Sequence, residues 1–162
     1  MQHYQVRIAK DDLVFSAAHF ITLEGGVCEP LHGHNYRVTA EIGGPLNDSQ
    51  YVVDFLVAHK AIKAIIEELD HRVLLPTEHP TIQVMAGLQE VEVHFADRRW
   101  IFPRSDCRLL PLAGTTAELL AQYIGRRLRE ALPAPPGARP LGVRIEVEES
   151  QGQSAVCELG EE

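Results

Sequence analysis

The stretch "HGHNYRVTAEI", His32 to Ile42, limits what this chain can fold into more than any other. Read as a strand, it puts His32, His34, Tyr36, Val38, Ala40 and Ile42 on one face and Arg37, Thr39 and Glu41 on the other. A face that runs from two histidines through a tyrosine into aliphatic residues belongs against a core, with both imidazoles at its border. Two further stretches share this period. "HYQVRIA" aligns Tyr4, Val6 and Ile8, and after the turn-like "KDD", "LVFSAAH" aligns Phe15, Ala17 and His19. The loop at 20–31 carries "EGGVCEP", with Gly25, Gly26 and Pro30.

Helical spacing replaces the strand period in "DFLVAHKAIKAIIEELDH". Its buried stripe is Phe55, Ala58, Ile62, Ile65, Ile66 and Leu69, with Asp54 as N-cap. "EVEVHFADRRWIFP" reads as a hairpin. "GTTAELLAQYIGRRLREAL" is a second helix, opened by a capping box from Thr115 to Glu118, with apolar positions Leu119, Leu120, Tyr123, Ile124, Leu128 and Leu132. "PAPPGARP" is a stiff connector. "LGVRIEVEE" then turns Leu141, Val143, Ile145 and Val147 inward, and "SAVCEL" can pair back on it. The class is α+β: an antiparallel sheet with two helices on one face and an extra hairpin between the helices.

At 162 residues the chain is expected to form a single domain, 1–162. With 45% hydrophobic and 23% charged residues it has the composition of a soluble globular protein. No apolar run nears the roughly 20 residues of a membrane span, and the polar start "MQHYQVRIAKDD" lacks a signal-peptide layout, so a cytoplasmic location is expected. A net charge of -8 argues against nucleic-acid binding. Cys28, Cys107 and Cys157 are odd in number and widely spaced, so they form no disulfide framework.

The residues that can carry chemistry cluster around "CEPLHGHNY". His32 and His34 leave one strand face, with Gly33 keeping the space between them open, and His19 ends the preceding strand on its buried face. Three neutral imidazoles and an open fourth position suit catalytic zinc, whereas an H-x-H pair alone also occurs without metal. Cys28 reads either as a fourth ligand, closing the site, or as a thiolate beside the metal. Cys107 and Cys157 read as small packed residues. In "LDH", Asp70 and His71 form either an acid–base pair or a helix C-terminus with a favourable cation. Parity turns Glu149, not Glu148, inward, where a carboxylate needs an N–H-rich partner or a path to solvent. His3, His59, His79 and His94 read as surface residues.

Taken in order, "FSAAH", "CEPLHGHNY", "VVDF", "LDHRVLL", "TTAELLA" and "VEES" resemble the 6-pyruvoyl-tetrahydropterin synthase / 6-carboxy-tetrahydropterin synthase family, from Phe15 to about Ser150. The resemblance implies zinc held by His19, His32 and His34, a catalytic Cys28 assisted by Asp70 and His71, and a pterin ring anchored by Glu149 in a pocket lined near Thr115 and Thr116. It implies 7,8-dihydroneopterin triphosphate as substrate and a carboxy-synthase reaction of deazapurine (queuosine) biosynthesis. Pyruvoyl synthesis, aldolase-like side-chain cleavage in a folate- or methanopterin-type pathway, and non-catalytic pterin or metal binding are the other readings. It also implies the tunnelling fold, with trimers stacked into a homohexamer and pockets between subunits. The chain departs from the family's pattern in the long segment from Pro76 to Gly114 and in "TTAE". Arg37, Arg72, Arg98, Arg99 and Arg104 are all candidates for the triphosphate.

Overall fold

The long alternating strand is the spine of the structure, a computed structural model that describes residues 3–132 and 141–160; the connector "PAPPGARP" lies outside the described residues. In chain order the elements are β1 (Tyr4–Ile8), β2 (Val14–His19), β3 (Thr22–Leu23), β4 (Val27–Cys28), β5 (His32–Gly44), α1 (Phe55–Glu67), β6 (Arg72–Pro76) and β7 (Gln83–Ala86). They continue as β8 (Glu90–Phe95), β9 (Arg98–Pro103), β10 (Cys107–Leu110), α2 (Ala117–Ala131), β11 (Gly142–Ser150) and β12 (Gln153–Leu159). One edge of β5 is shared by two antiparallel partners. β2 pairs with its first half, His19 opposite His32, and β1 with its second half, Ile8 opposite Ala40. On the other edge β11 runs antiparallel from Gly142 opposite Gly43 to Glu148 opposite Arg37, and β12 extends the sheet.

The α+β class stands, but the sheet is mixed. Its order is β10-β6-β2-β5-β11-β12, with β1 also on β5, and β6 runs parallel to both β2 and β10. α1 and the excursion through 77–106 act as crossovers that bring the chain back in the same direction. The strands "RVLLP" and "CRLL" are too short to show a period of their own. The expected hairpin exists as β8–β9 and gains β7, forming a separate three-stranded sheet.

Burial follows the predicted parity. Phe15, Ala17, Tyr36, Val38, Ala40, Ile42, Val143, Ile145 and Val147 all lie in the core that the two helices cover, and His19 is buried at its border. Each such aliphatic or aromatic side chain contributes about 1.5–3 kcal/mol on burial. In α1, Ala58, Ile62, Ile65 and Ile66 are buried, with Leu69 just beyond. Phe55 is not part of that stripe: the first turn overhangs the core, leaving Phe55, Leu56 and Val57 exposed. Asp54 caps the helix as expected, its carboxylate accepting from the N–H groups of Leu56 (2.7 Å) and Val57 (3.1 Å). The α2 cap moves by one residue, so no Thr115–Glu118 box forms: Thr116 is the N-cap, and Thr115 turns wholly inward. Midway along α2, Gly125 lets helix and sheet approach closely; a Cβ there would meet Ile145 Cγ1 at 3.3 Å and Leu159 Cδ1 at 3.2 Å.

A second apolar cluster, Phe20, Cys28, Leu75, Ile82, Val91, Val93 and Cys107, lies between the small sheet and the start of the β3–β4 loop. No helix among the described residues is long and apolar enough to cross a membrane. Ile145 is fully buried on β11, facing α2. Ile145→Ala is expected to cost about 2–5 kcal/mol in urea denaturation; a loss below about 1 kcal/mol would contradict the packing described.

Candidate active site

The β2–β5 register assembles the site. It sets His19 opposite His32, with His34 two residues on along the same face. One ligand nitrogen from each of the three lies within 4.8 Å of the others, and the rings meet edge-on at centroid distances of 4.8–5.2 Å. Nδ1 of His19 donates to the Thr115 carbonyl (2.9 Å) and Nδ1 of His32 to the Pro30 carbonyl (2.8 Å). These bonds fix the tautomer that leaves Nε2 as a lone-pair donor, the usual support for a metal-bound imidazole. His34 Nε2 is buried without a hydrogen-bond partner. A buried polar atom of that kind is costly unless something binds it, so the donor set fits a metal ion. Burial pushes the His19 imidazole below its ordinary value, outweighing the Thr115 carbonyl that favours the charged form, and so keeps the ring neutral for ligation.

Gly33 does not separate the imidazoles. Period two turns it to the other face, where a Cβ would sit 3.3 Å from the Ala17 carbonyl oxygen. Beneath the cluster, Tyr36 is fully buried and stacked on Phe15, with ring centroids 4.7 Å apart. Glu149 sits where parity placed it: half-buried, one carboxylate oxygen 3.5 Å from His34 Nε2. It lines a cavity of about 330 Å³ with Ile21, Thr116, Glu118, Gln153 and Ser154. Thr116 therefore faces this cavity. Thr115 is fully buried and instead supports His19 through its carbonyl.

Cys28 is not within the histidine cluster. It is buried in the second apolar cluster, and that burial pushes its thiol up, against the pull of the Arg98 charge. Its neighbour Glu29 has a carboxylate oxygen 3.9 Å from His32 Nε2. Sequence reasoning passed over Glu29, although its place three residues before His32 was a visible signal. Asp70 and His71 do pair, Nδ1 to Oδ2 at 2.9 Å. His71 lies beyond the end of α1, in the left-handed region at φ +55°, so it does not serve as a cation in the last helical turn. Its N–H donates to the Ser16 carbonyl, while Asp70 accepts from the Ser16 N–H at 2.8 Å. Burial raises the Asp70 carboxyl, but the Ser16 and His71 bonds outweigh it and hold the group below the usual range. The exposed imidazole opens into a cavity of about 440 Å³ with Ser16, Gly33, Asn35, Arg72 and Asp106. His34 also borders this cavity, but Ser16 and Asn35 have the opposite strand parity to the three histidines, and the dyad is not part of the histidine cluster.

Among the histidines read as surface residues, His59 bonds to Asp12 (2.9 Å), His94 to Glu92 (2.5 Å) and His79 to Thr22 (3.0 Å). Of the candidate arginines, Arg37 faces Asp11, Arg99 is bonded to Glu92, and Arg98 donates to the Cys28 carbonyl. Arg72, exposed beside His71, borders the dyad's cavity.

Residues 8–160 match the family described as 6-pyruvoyl tetrahydropterin synthase. A Methanocaldococcus jannaschii chain provisionally named 6-carboxy-5,6,7,8-tetrahydropterin synthase is 31% identical over 144 residues, 88% of each chain. A Pyrococcus furiosus chain named dihydroneopterin monophosphate aldolase is 36% identical over 73 residues, 44% of this chain and 61% of that one. The crystal structure of 6-pyruvoyl tetrahydropterin synthase from Plasmodium vivax superposes with a TM-score of 0.88 at 26% identity, covering 98% of this chain and 99% of that one. A variant of the same enzyme, with alanine in place of a glutamate, is described as a catalytic-residue mutant.

Because the folded His19 imidazole is depressed, its neutral burial contributes stability above about pH 6.5 that is lost as pH falls through the lower folded value. The metal-free protein should lose urea stability as pH falls below about 6.5, and His19→Gln should flatten that slope. An unchanged slope in the variant would contradict the assignment.

Proposed function

Because the chain belongs to the 6-pyruvoyl tetrahydropterin synthase family, we propose that it is a zinc-dependent lyase converting 7,8-dihydroneopterin triphosphate to 6-carboxy-5,6,7,8-tetrahydropterin, a step of the queuosine (deazapurine) type. The observation that carries this reading is the convergence of His19, His32 and His34, with two Nδ1 atoms held by carbonyls and the Glu149 carboxylate 3.5 Å from His34. The three Nε2 atoms would hold zinc, which supplies Lewis acidity toward side-chain hydroxyls when bound. Glu149 accepts N–H bonds from the pterin ring, and Thr116 lines the same cavity. Thr115 supports this pocket from behind, through His19.

Proton removal from the substrate side chain falls to the Cys28–Glu29 segment. Its two members suit different chemistry. The thiol is buried and raised, whereas the carboxylate stands beside His32. Asp70 and His71 supply the return proton: the aspartate orients the imidazole through Nδ1, leaving Nε2 to the substrate. As the dyad lies on the opposite face, it would serve the pocket of a neighbouring copy, in a trimer-based hexamer with sites between subunits. The sheet is open at both ends, at β10 and β12, which favours such assembly.

Glu29 supports a second reading, aldolase-like cleavage of the side chain, and the Pyrococcus furiosus relative points the same way. Cleavage of that kind leaves a hydroxymethyl carbon on the pterin in place of a carboxylate, so the product's mass separates the two. The zinc-loaded protein is expected to consume dihydroneopterin triphosphate and yield the carboxy product. His32→Ala should lose both zinc and turnover. Cys28→Ala and Glu29→Gln should keep zinc, and at least one should lose about 10²-fold or more in kcat, the scale of a missing general base. Stoichiometric zinc with no pterin turnover would overturn the catalytic reading, and a hydroxymethyl product would select the aldolase-like one.

A further inference from the structure

The segment from Pro76 to Gly114 reaches the site through three separate contacts. First, Arg98, at the start of β9, donates from Nη1 to the Cys28 carbonyl at 2.8 Å, across 70 residues of sequence. Second, the same guanidinium lies over the Trp100 ring, 4.6 Å from its centroid, and Trp100 stacks on Phe20 at 4.6 Å with a 17° interplanar angle. Phe20 directly follows the ligand His19 and is itself buried. Third, His79 Nδ1 accepts from the N–H groups of Thr81 (3.1 Å) and Ile82 (2.9 Å). That fixes the proton on Nε2, which donates to the Thr22 hydroxyl at 3.0 Å. Thr22 is the strand partner of Cys28.

The loop between His19 and His32 has little of its own to hold it. β3 and β4 have two residues each, and Gly25 and Gly26 at their turn both take positive φ. The backbone supplies one bond at the critical end, Glu29 N–H to the Ile21 carbonyl at 2.9 Å. A two-residue ribbon is marginal alone, so the position of Glu29 beside His32 depends on what grips the ribbon from outside.

We propose that Arg98 is a positioning residue: stacked on Trp100, its guanidinium clamps the Cys28 carbonyl and so sets the Cys28–Glu29 segment against the histidine cluster. The catalytic half of this inference rests on the function proposed above; the clamp itself does not. A planar guanidinium suits both contacts at once, because it donates in its plane while its face lies on an aromatic ring. A lysine can keep the charge but not both geometries. The Pro76–Gly114 segment thereby becomes a brace for the site rather than a surface decoration.

The test uses the full-length zinc-loaded protein with Arg98→Ala, Arg98→Lys and, as a control on the same hairpin, Arg99→Ala. Arg98→Ala is expected to keep its zinc and its KM within about twofold while kcat falls about 10- to 100-fold, the scale of a misplaced catalytic group. Arg98→Lys should recover part of kcat, and Arg99→Ala should leave Cys28 amide labelling at the parent's rate. Two readouts need no turnover. Deuterium labelling of the Cys28 and Glu29 amides, mapped by mass spectrometry, should accelerate about tenfold or more in Arg98→Ala, as expected from losing one hydrogen bond to a charged group, with the Cys107 amide unchanged. Emission from Trp100, the sole tryptophan, should shift in Arg98→Ala and return toward the parent in Arg98→Lys. Unchanged Cys28 labelling and Trp100 emission would overturn the clamp, as would equal effects in Arg99→Ala. If the parent turns over no pterin, the functional reading fails while labelling and emission still decide the clamp. If Arg98→Ala does not fold, faster Cys28 labelling in Arg98→Lys supports it and parent-like labelling overturns it.

Discussion

The pairing of His19 with His32 across β2 and β5 is the interaction on which the site depends. A slip of one residue would exchange every side chain between the two faces of β2, sending His19 to solvent and Ser16 and Ala18 into the core. The register is held by the same residues that form the core, because Phe15 stacks on Tyr36 four pairs further along. Packing and metal geometry are thus one constraint. The aliphatic half of β5 fixes where its histidine half must lie, and the helices that cover the aliphatic half stop short of the imidazoles. Thr115, at the approach to α2, reaches across to hold His19. Glu149, at the far end of β11, brings a carboxylate to His34.

The two faces of the β2–β5 pair divide the chemistry. One carries the three histidines and Glu149; the other opens on His71, Ser16 and Asn35. The Asp70–His71 dyad is held firmly, by two backbone bonds to Ser16 and a left-handed φ that a histidine adopts only with support. Rigidity on an exposed surface, away from its own chain's histidine cluster, accords with the proposed role at a neighbouring copy's pocket.

Much of this was legible in the sequence, and for a definite reason. Strand parity alone placed His19, His32, His34 and Glu149, because side-chain alternation survives any uncertainty about how strands pair. Asp54 was legible as a cap because its chemistry is local. What escaped was whatever depended on tertiary contact. β6 and β10 are short apolar runs whose parallel pairing is imposed by crossovers. The sequence pattern makes Thr115 the cap and, by resemblance, puts Thr115 and Thr116 in one pocket; the structure gives the cap and the cavity to Thr116 and turns Thr115 inward. Cys28 read as a thiol beside the metal, but no local pattern shows that residues some 60 positions away would bury it. Glu29 escaped because it lies in a loop, where no strand parity shows which way a side chain points.

The central claim is that zinc is held by nitrogen from His19, His32 and His34, with Cys28 off the metal. Zinc K-edge X-ray absorption on the metal-loaded protein reads the ligand set directly. The account predicts three imidazole nitrogens at about 2.0–2.1 Å, a remaining oxygen, and no sulfur. A sulfur scatterer at about 2.3 Å would make Cys28 a ligand and contradict it.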